Sequence, residues 1–237
     1  MSRAIAFIGL GHMGAPMAAN LVRAGYLVTG FDVVPAAVDA ARTDGLTIAE
    51  SGAEAVTGAE VIITMLPAGQ HVLAAYQGSD GLLAAAAPGS LFLECSTIAV
   101  ADARVAHDMV LAAGHRGLDA PVSGGVAGAE AGSLTFRVGG DAGDFADAAE
   151  IFDVMGKRIV HCGGPGAGQA AQALEATGVV AELGSRAEEI HRRFAEGAGA
   201  GTDFSGIIND IRAAAQTAGR NTGHGTAQNP AQNRTQA

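Results

Sequence analysis

An α/β fold built on a mostly parallel, doubly wound sheet is what this sequence of 237 residues predicts. Three observations predict it. Short apolar runs rich in Val, Ile, Leu and Phe alternate with helical segments, the order of repeated strand–helix–strand units. The first run, Ala4-Ile5-Ala6-Phe7-Ile8, leads into Gly9-Leu10-Gly11-His12-Met13-Gly14 and then into a helical stretch, Ala15 to Ala24. A second run, Leu27-Val28-Thr29-Gly30-Phe31, ends at Asp32, eighteen residues after Gly14.

A strand, a glycine turn and a helix N-terminus together make an anion site. The first turn of a helix has backbone N–H groups without partners and a partial positive charge. A pyrophosphate reaches them only where the backbone lacks side chains. Gly9 makes the turn, Gly11 admits the phosphate, and Gly14 lets the helix pack on the strand. Asp32 is placed to accept hydrogen bonds from ribose hydroxyls and to repel a 2′-phosphate, which points to NAD rather than NADP. The fold expected is therefore of the Rossmann type.

The remaining elements follow in order. Pro35 to Arg42 reads as a helix opened by proline. Leu46-Thr47-Ile48 is a short strand, and Ser51 to Thr57 a short helix with Ser51 as its N-cap. Val61-Ile62-Ile63-Thr64-Met65 is a strand ending in Leu66-Pro67, followed by a helix from Gly69 to Tyr76. Leu91-Phe92-Leu93-Glu94 is a strand ending at Cys95-Ser96-Thr97, followed by a helix from Ala99 to Ala113. Arg116-Gly117-Leu118-Asp119 continues into Ala120-Pro121-Val122-Ser123-Gly124-Gly125. Leu134 to Val138 and Ile159 to His161 are later strands, separated by a helix from Asp144 to Met155, with Lys157 in a turn before the last strand. Right-handed crossovers then fix the doubly wound form. In such sheets the ligand lies across the carboxyl ends of the strands, so the turns that follow strands are where chemistry is sought.

After Gly163-Gly164-Pro165-Gly166 the composition changes. Gln169 to Ala187 is Ala-rich and helical in pattern, Arg186 to Glu196 resembles an exposed helix, and Phe204 to Ile211 is a further short one. From about Gln216 the chain is polar and lacks an apolar period, so disorder is expected there. The expected division is a dinucleotide-binding domain over 1–164, a helical remnant over 165–215 and a tail over 216–237.

The totals exclude several classes. Hydrophobic residues at 49% suffice for a sizeable core, and a formal charge of −10 without a basic cluster argues against nucleic-acid binding. No apolar stretch is long enough to span a membrane, and no leader pattern is visible at the N-terminus, so a cytoplasmic protein is expected. Cys95 and Cys162 are the two cysteines, expected as reduced core residues without a metal. His107, His115, His161, His191 and His224 show no partner spacing, and His12 reads as an exposed position in the turn. Asp119 reads as the end of a strand.

The stretch from Gly9 to Leu21, Gly-Leu-Gly-His-Met-Gly-Ala-Pro-Met-Ala-Ala-Asn-Leu, resembles the N-terminal signature of the 3-hydroxyisobutyrate dehydrogenases, within the β-hydroxyacid dehydrogenase family. Met65-Leu66-Pro67, Cys95-Ser96-Thr97-Ile98 and Asp119 to Gly125 are similar to three further blocks of that family, in family order. Gly166-Ala167-Gly168-Gln169-Ala170-Ala171 resembles the start of its long interdomain helix. The resemblance runs from about residue 3 to 172. It implies oxidation of a β-hydroxyl on a small carboxylic acid with hydride passing to NAD. For 3-hydroxyisobutyrate this gives methylmalonate semialdehyde, a step of valine degradation. It further implies that Leu66, Pro67, His71 and Thr97 line the cofactor with Gly9 to Gly14 and Asp32. Ser123, Gly124 and Gly125 are implied to hold the substrate carboxylate, in keeping with a glycine turn as an anion nest.

The resemblance also shows departures. The family's general acid/base lysine falls at Gln172, and an amide cannot exchange a proton as a tuned amine does. Glu175 stands where the family has an asparagine that helps hold substrate, and a negative charge there would oppose a carboxylate. Ala173 to Gly178 and Leu183 to Arg212 resemble the family's C-terminal end, so an internal deletion joined near Gln172 is inferred, with most of the helical second domain removed. Weak turnover follows as an expectation, together with homo-oligomerisation or association through uncovered apolar surface. Two other readings stay open: an NAD-binding protein without catalysis, and a reductase of another 3-hydroxy acid or an imine, for which Glu175 is the nearby ionisable group.

Overall fold

The computed structural model describes residues 3–176 apart from residue 44. The helices expected beyond Ala176 and the tail expected from Gln216 lie outside the described residues. Alternation of strand and helix opens the chain: β1 (Ala4–Ile8), α1 (Gly14–Arg23), β2 (Leu27–Phe31), α2 (Pro35–Thr43), β3 (Thr47–Ile48), α3 (Gly52–Val56), β4 (Val61–Thr64) and α4 (Gly69–Tyr76). After a short α5 (Leu82–Ala85) come β5 (Leu91–Glu94), α6 (Val100–Ala112), β6 (Arg116–Asp119), β7 (Val122–Ser123) and α7 (Gly125–Glu130). The described part closes with β8 (Leu134–Gly140), α8 (Ala142–Met155), β9 (Gly156–Gly163) and α9 (Ala167–Ala176). Helix α9 belongs to the same compact unit as the sheet, Met1–Val180.

Among the described residues nine strands form one sheet, ordered β3-β2-β1-β4-β5-β6-β8-β7, with β9 also on β8. The first six pair in parallel, β8 runs antiparallel to β6 and β7, and β9 lies parallel to β8. Because the chain builds outward from β1 in both directions, the strand order reverses between β1 and β4. That is the crevice where doubly wound sheets bind ligands. The register aligns Phe31, Ile8, Thr64, Glu94 and Asp119 in one row, so the strands end together at one edge. The ladder extends one residue further through Gly9 N–H to Phe31 O (2.9 Å), Met65 N–H to Ile8 O (2.8 Å), Cys95 N–H to Thr64 O (2.8 Å) and Ala120 N–H to Glu94 O (2.7 Å).

The parallel strands are apolar on both faces because helices cover both. Ile5, Phe7, Val61, Ile63, Leu91 and Leu93 face one core with Met17 and Leu21 of α1 and Phe152 of α8. Ala6, Ile8, Ile62 and Phe92 face the other, with Val72 and Tyr76 of α4 and Val110 of α6. Burying each of the larger side chains contributes roughly 1.5–3 kcal/mol. Ser51 caps α3, its side chain accepting from Glu54 N at 3.1 Å, as the sequence suggests.

Three local features differ from the sequence expectations. The stretch read as running on from Asp119 toward the Ser123-Gly124-Gly125 turn is interrupted at Ala120-Pro121, where proline has no N–H to give a ladder. Val122-Ser123 resumes as β7 against β8, and α7 starts at Gly125. Lys157 is not in a turn but inside β9, an edge strand whose exposed Lys157-Arg158 pair suits an unpaired margin. Neither α5 nor α7 carries a periodic apolar signal, since each spans less than two turns.

Candidate functional site

The turn after β1 is built by exclusion of side chains. Gly9 adopts the left-handed φ of +98°, and a Cβ on it would overlap the carbonyl oxygen of Met65. A Cβ on Gly14 would overlap the Gly9 carbonyl oxygen and press on Phe7, so the first turn of α1 lies directly on β1. Gly11 faces open space. Helix α1 has no side-chain cap, and the N–H groups of Gly11, His12 and Met13 have no hydrogen-bond partner among the described residues. Three unengaged donors at a helix N-terminus are the electrostatic requirement of an anion site. Leu10 is buried in the core, Met13 packs against it, and His12 is exposed.

Asp32, half-buried at the end of β2, accepts from Leu10 N at 2.6 Å and from Val34 N at 2.7 Å. These bonds hold its carboxylate beside the glycine turn. Each oxygen has a further lone pair for a ribose hydroxyl.

Along the same edge, Leu66 is half-buried and Pro67 exposed after β4, Thr97 is exposed after β5, and His71 is exposed on α4. Ser123 is half-buried at the end of β7, next to Gly124 (φ +133°) and Gly125 (φ +62°), both on the left-handed side. The strand register thus carries the turns after β1, β2, β4 and β5 to one side of the sheet.

Gln172 lies on α9. Its Oε1 accepts from Arg137 Nη1 at 2.7 Å, and its Nε2 donates to the carbonyl of Val122 at 3.2 Å, next to Ser123. Arg137 also forms an ion pair with Glu175 through Nη2. The charge of Glu175 is therefore paired with a guanidinium. Arg137 was missed from sequence. Its signal was the alternation in β8: Leu134, Phe136 and Val138 are fully buried, while Thr135 and Arg137 point to the other face.

Asp119 does more than finish β6. Its oxygens accept from Gly166 N (2.7 Å) and Gln169 N (2.9 Å), capping α9 from 47 residues upstream. Burial raises its carboxyl above the usual range, and the N–H groups of Gln169 and Gly166 act against that. Glu94 is buried, and desolvation pushes its carboxyl up to about 8 although Ser96 bonds it. Glu94 Oε1 accepts from Ser96 N at 2.8 Å, while Oε2 has no hydrogen-bond partner among the described residues. His115 and His161 are structural: each places Nε2 on a backbone carbonyl, of Leu83 and of Gly140, at 3.0 Å, and packs against a phenylalanine.

The NAD-binding domain of 6-phosphogluconate dehydrogenase matches residues 4–164. The structure of 3-hydroxyisobutyrate dehydrogenase from Mycobacterium tuberculosis, solved with L-serine, superposes with a TM-score of 0.71 at 44% identity, covering 84% of this chain and 72% of that one. The chain belongs to the β-hydroxyacid dehydrogenase family.

An NAD-dependent L-serine dehydrogenase of Pseudomonas aeruginosa is 57% identical over 168 residues, and a 3-hydroxyisobutyrate dehydrogenase of the same organism is 52% identical over 168. Each alignment covers 71% of this chain but 56% of the relative, so the chain matches little more than half the length of these dehydrogenases. The family's cofactor is NAD, and the glycine turn with Asp32 beside it fits a dinucleotide. No described helix is long and apolar enough to cross a membrane.

Proposed function

We propose that this chain binds NAD at the Gly9–Gly14 turn and Asp32, and that it descends from an oxidoreductase of small 3-hydroxy acids. The observation that carries this reading is the set of unengaged N–H groups of Gly11, His12 and Met13 beside the Asp32 carboxylate. Bound NAD supplies the hydride acceptor. Leu66, Pro67, His71 and Thr97 flank it, and Ser123-Gly124-Gly125 holds the substrate carboxylate. The substrate is 3-hydroxyisobutyrate, oxidised to methylmalonate semialdehyde in valine degradation in the cytoplasm, with L-serine as the rival suggested by the relatives' names. The dinucleotide-binding domain is assigned to 1–164, the helical remnant to 165–215 and a tail to 216–237, and self-association is expected.

Turnover is weak in this reading. Gln172 stands at the position of the family's lysine and lacks a titratable proton. Both ends of its amide are already engaged, by Arg137 and by the Val122 carbonyl. That engagement favours a second reading, an NAD-binding protein without catalysis. Steady-state NAD reduction with 3-hydroxyisobutyrate and with L-serine tests both. Rates at least about a hundredfold below an intact relative are expected, the scale of losing a general acid/base. Ordinary turnover with either acid overturns the assignment of Gln172.

A further inference from the structure

Four segments at the carboxyl edge are joined by one largely buried chain of hydrogen bonds with Ser96 at its centre. Ser96 is fully buried, and each of its polar groups is used. Its Oγ accepts from Leu66 N at 2.8 Å, its N–H donates to Glu94 Oε1 at 2.8 Å, and its carbonyl accepts from Gln169 Nε2 at 2.6 Å. Gln169, 2% exposed, spends the other end of its amide on Ile98 N at 3.1 Å. The two partners fix the amide's orientation, since a carbonyl needs a donor and an N–H needs an acceptor. Asp119 then accepts from Gln169 N and Gly166 N, which ties the start of α9 to the end of β6.

We propose that Ser96, acting with Gln169, is a positioning residue that holds the Leu66-Pro67 turn in register with helix α9. This rests on the NAD reading above and goes beyond it. The segments joined are those that carry Leu66, Pro67, Thr97 and, one helical turn beyond Gln169, Gln172. Bonds confined to one turn would stabilise that turn alone. These run from the turn after β4, through the turn after β5, to α9. A shift of α9 is therefore transmitted to Leu66 through two side chains. The heavy polar atoms of Ser96 and Gln169 are all engaged; deleting the Gln169 amide strands the buried Ser96 carbonyl, and deleting the Ser96 hydroxyl strands the half-buried Leu66 N–H.

Backbone amide exchange and NAD titration on the whole chain test this, with Ser96→Ala, Gln169→Leu and the conservative Gln169→Glu. Ser90→Ala is the structural control: Ser90 is buried at the amino end of the same strand and bonds Ala59 O and Ala87 O, far from the turns. In the absence of NAD, the Leu66 amide is expected to exchange at least about tenfold faster in Ser96→Ala and also in Gln169→Leu, although Gln169 does not touch Leu66. NAD affinity is expected to fall about tenfold in both, the equivalent of one buried hydrogen bond. Gln169→Glu keeps the acceptor for Ile98 and is expected to fall between wild type and Gln169→Leu. Ser90→Ala is expected to lower the melting temperature without changing NAD affinity. Unchanged Leu66 exchange in Gln169→Leu overturns the coupling. Equal loss of NAD affinity in Ser90→Ala reduces Ser96 to a merely structural role and also overturns it. Failure of the wild-type chain to bind NAD defeats the NAD reading instead, and the Leu66 exchange still decides whether the coupling exists.

Discussion

The cofactor end of the molecule and the α9 end are built by opposite means. At the glycine turn the geometry depends on what is left out: no Cβ at Gly9 or Gly14, and no partner among the described residues for three N–H groups. At α9 the polar groups are engaged. Arg137 holds both Gln172 and Glu175, and Asp119 caps the helix by accepting from Gly166 N and Gln169 N. A site that awaits a ligand has unspent donors, whereas hydrogen bonds and an ion pair engage the polar groups around Gln172.

The largest effect is expected at Gly14. Gly14→Val forces a side chain into the Gly9 carbonyl and Phe7, and a loss of at least about 4 kcal/mol in urea unfolding is expected, with NAD binding abolished. Next is Asp32→Ala, expected to weaken NAD binding about tenfold or more by calorimetry with little change in melting temperature, because the carboxylate is half-buried and a charged hydrogen bond contributes about 1.5–3 kcal/mol. Arg137→Ala should do the reverse: about 1–2 kcal/mol of stability lost, since Arg137 is largely buried, while NAD affinity is unchanged. If Arg137→Ala weakens NAD binding as much as Asp32→Ala does, the contrast between the two ends fails.

A smaller effect concerns pH. Burial holds a proton on Glu94 in the folded chain to about pH 8, whereas the unfolded carboxyl gives it up near 4.5. The folded state therefore binds more protons across that window. The stability this contributes is fully present below about 4.5 and is lost as pH rises toward about 8. Asp119, also raised by burial, acts in the same direction. Glu94→Gln should flatten the fall in melting temperature between pH 5 and pH 8 without removing it. An unchanged slope would show that Glu94 is not the group responsible. Smallest of all, Arg116→Ala removes a part-buried pair to Asp144 (3.1 Å) and an exposed one to Asp147 (2.9 Å) and should cost about 1 kcal/mol.

Much of the sheet domain was legible because its signals are local. Four-to-five-residue apolar runs gave β1, β2, β4 and β5, a serine gave the α3 cap, and the spacing from Gly14 to Asp32 gave the first β-α-β unit. What escaped depends on partners distant in sequence. Asp119 caps a helix 47 residues later, so nothing next to it announced the role. Arg137 meets Gln172 of α9 across 35 residues and pairs with Glu175, contacts that no local pattern announces. Ser96 looked like one residue of a turn, because its three hydrogen bonds go to Leu66, Glu94 and Gln169. The break at Pro121 was visible in the sequence, yet the antiparallel return of β7 onto β8 was not, since strand direction is a tertiary choice.

The most direct test is an NAD titration of the wild-type chain by calorimetry at neutral pH, followed by addition of 3-hydroxyisobutyrate to the same sample. Saturable binding at one site, weakened about tenfold or more in Asp32→Ala, with NADH formation at least about a hundredfold below an intact relative, is the predicted result. Absence of binding, or binding followed by ordinary turnover, would contradict the account.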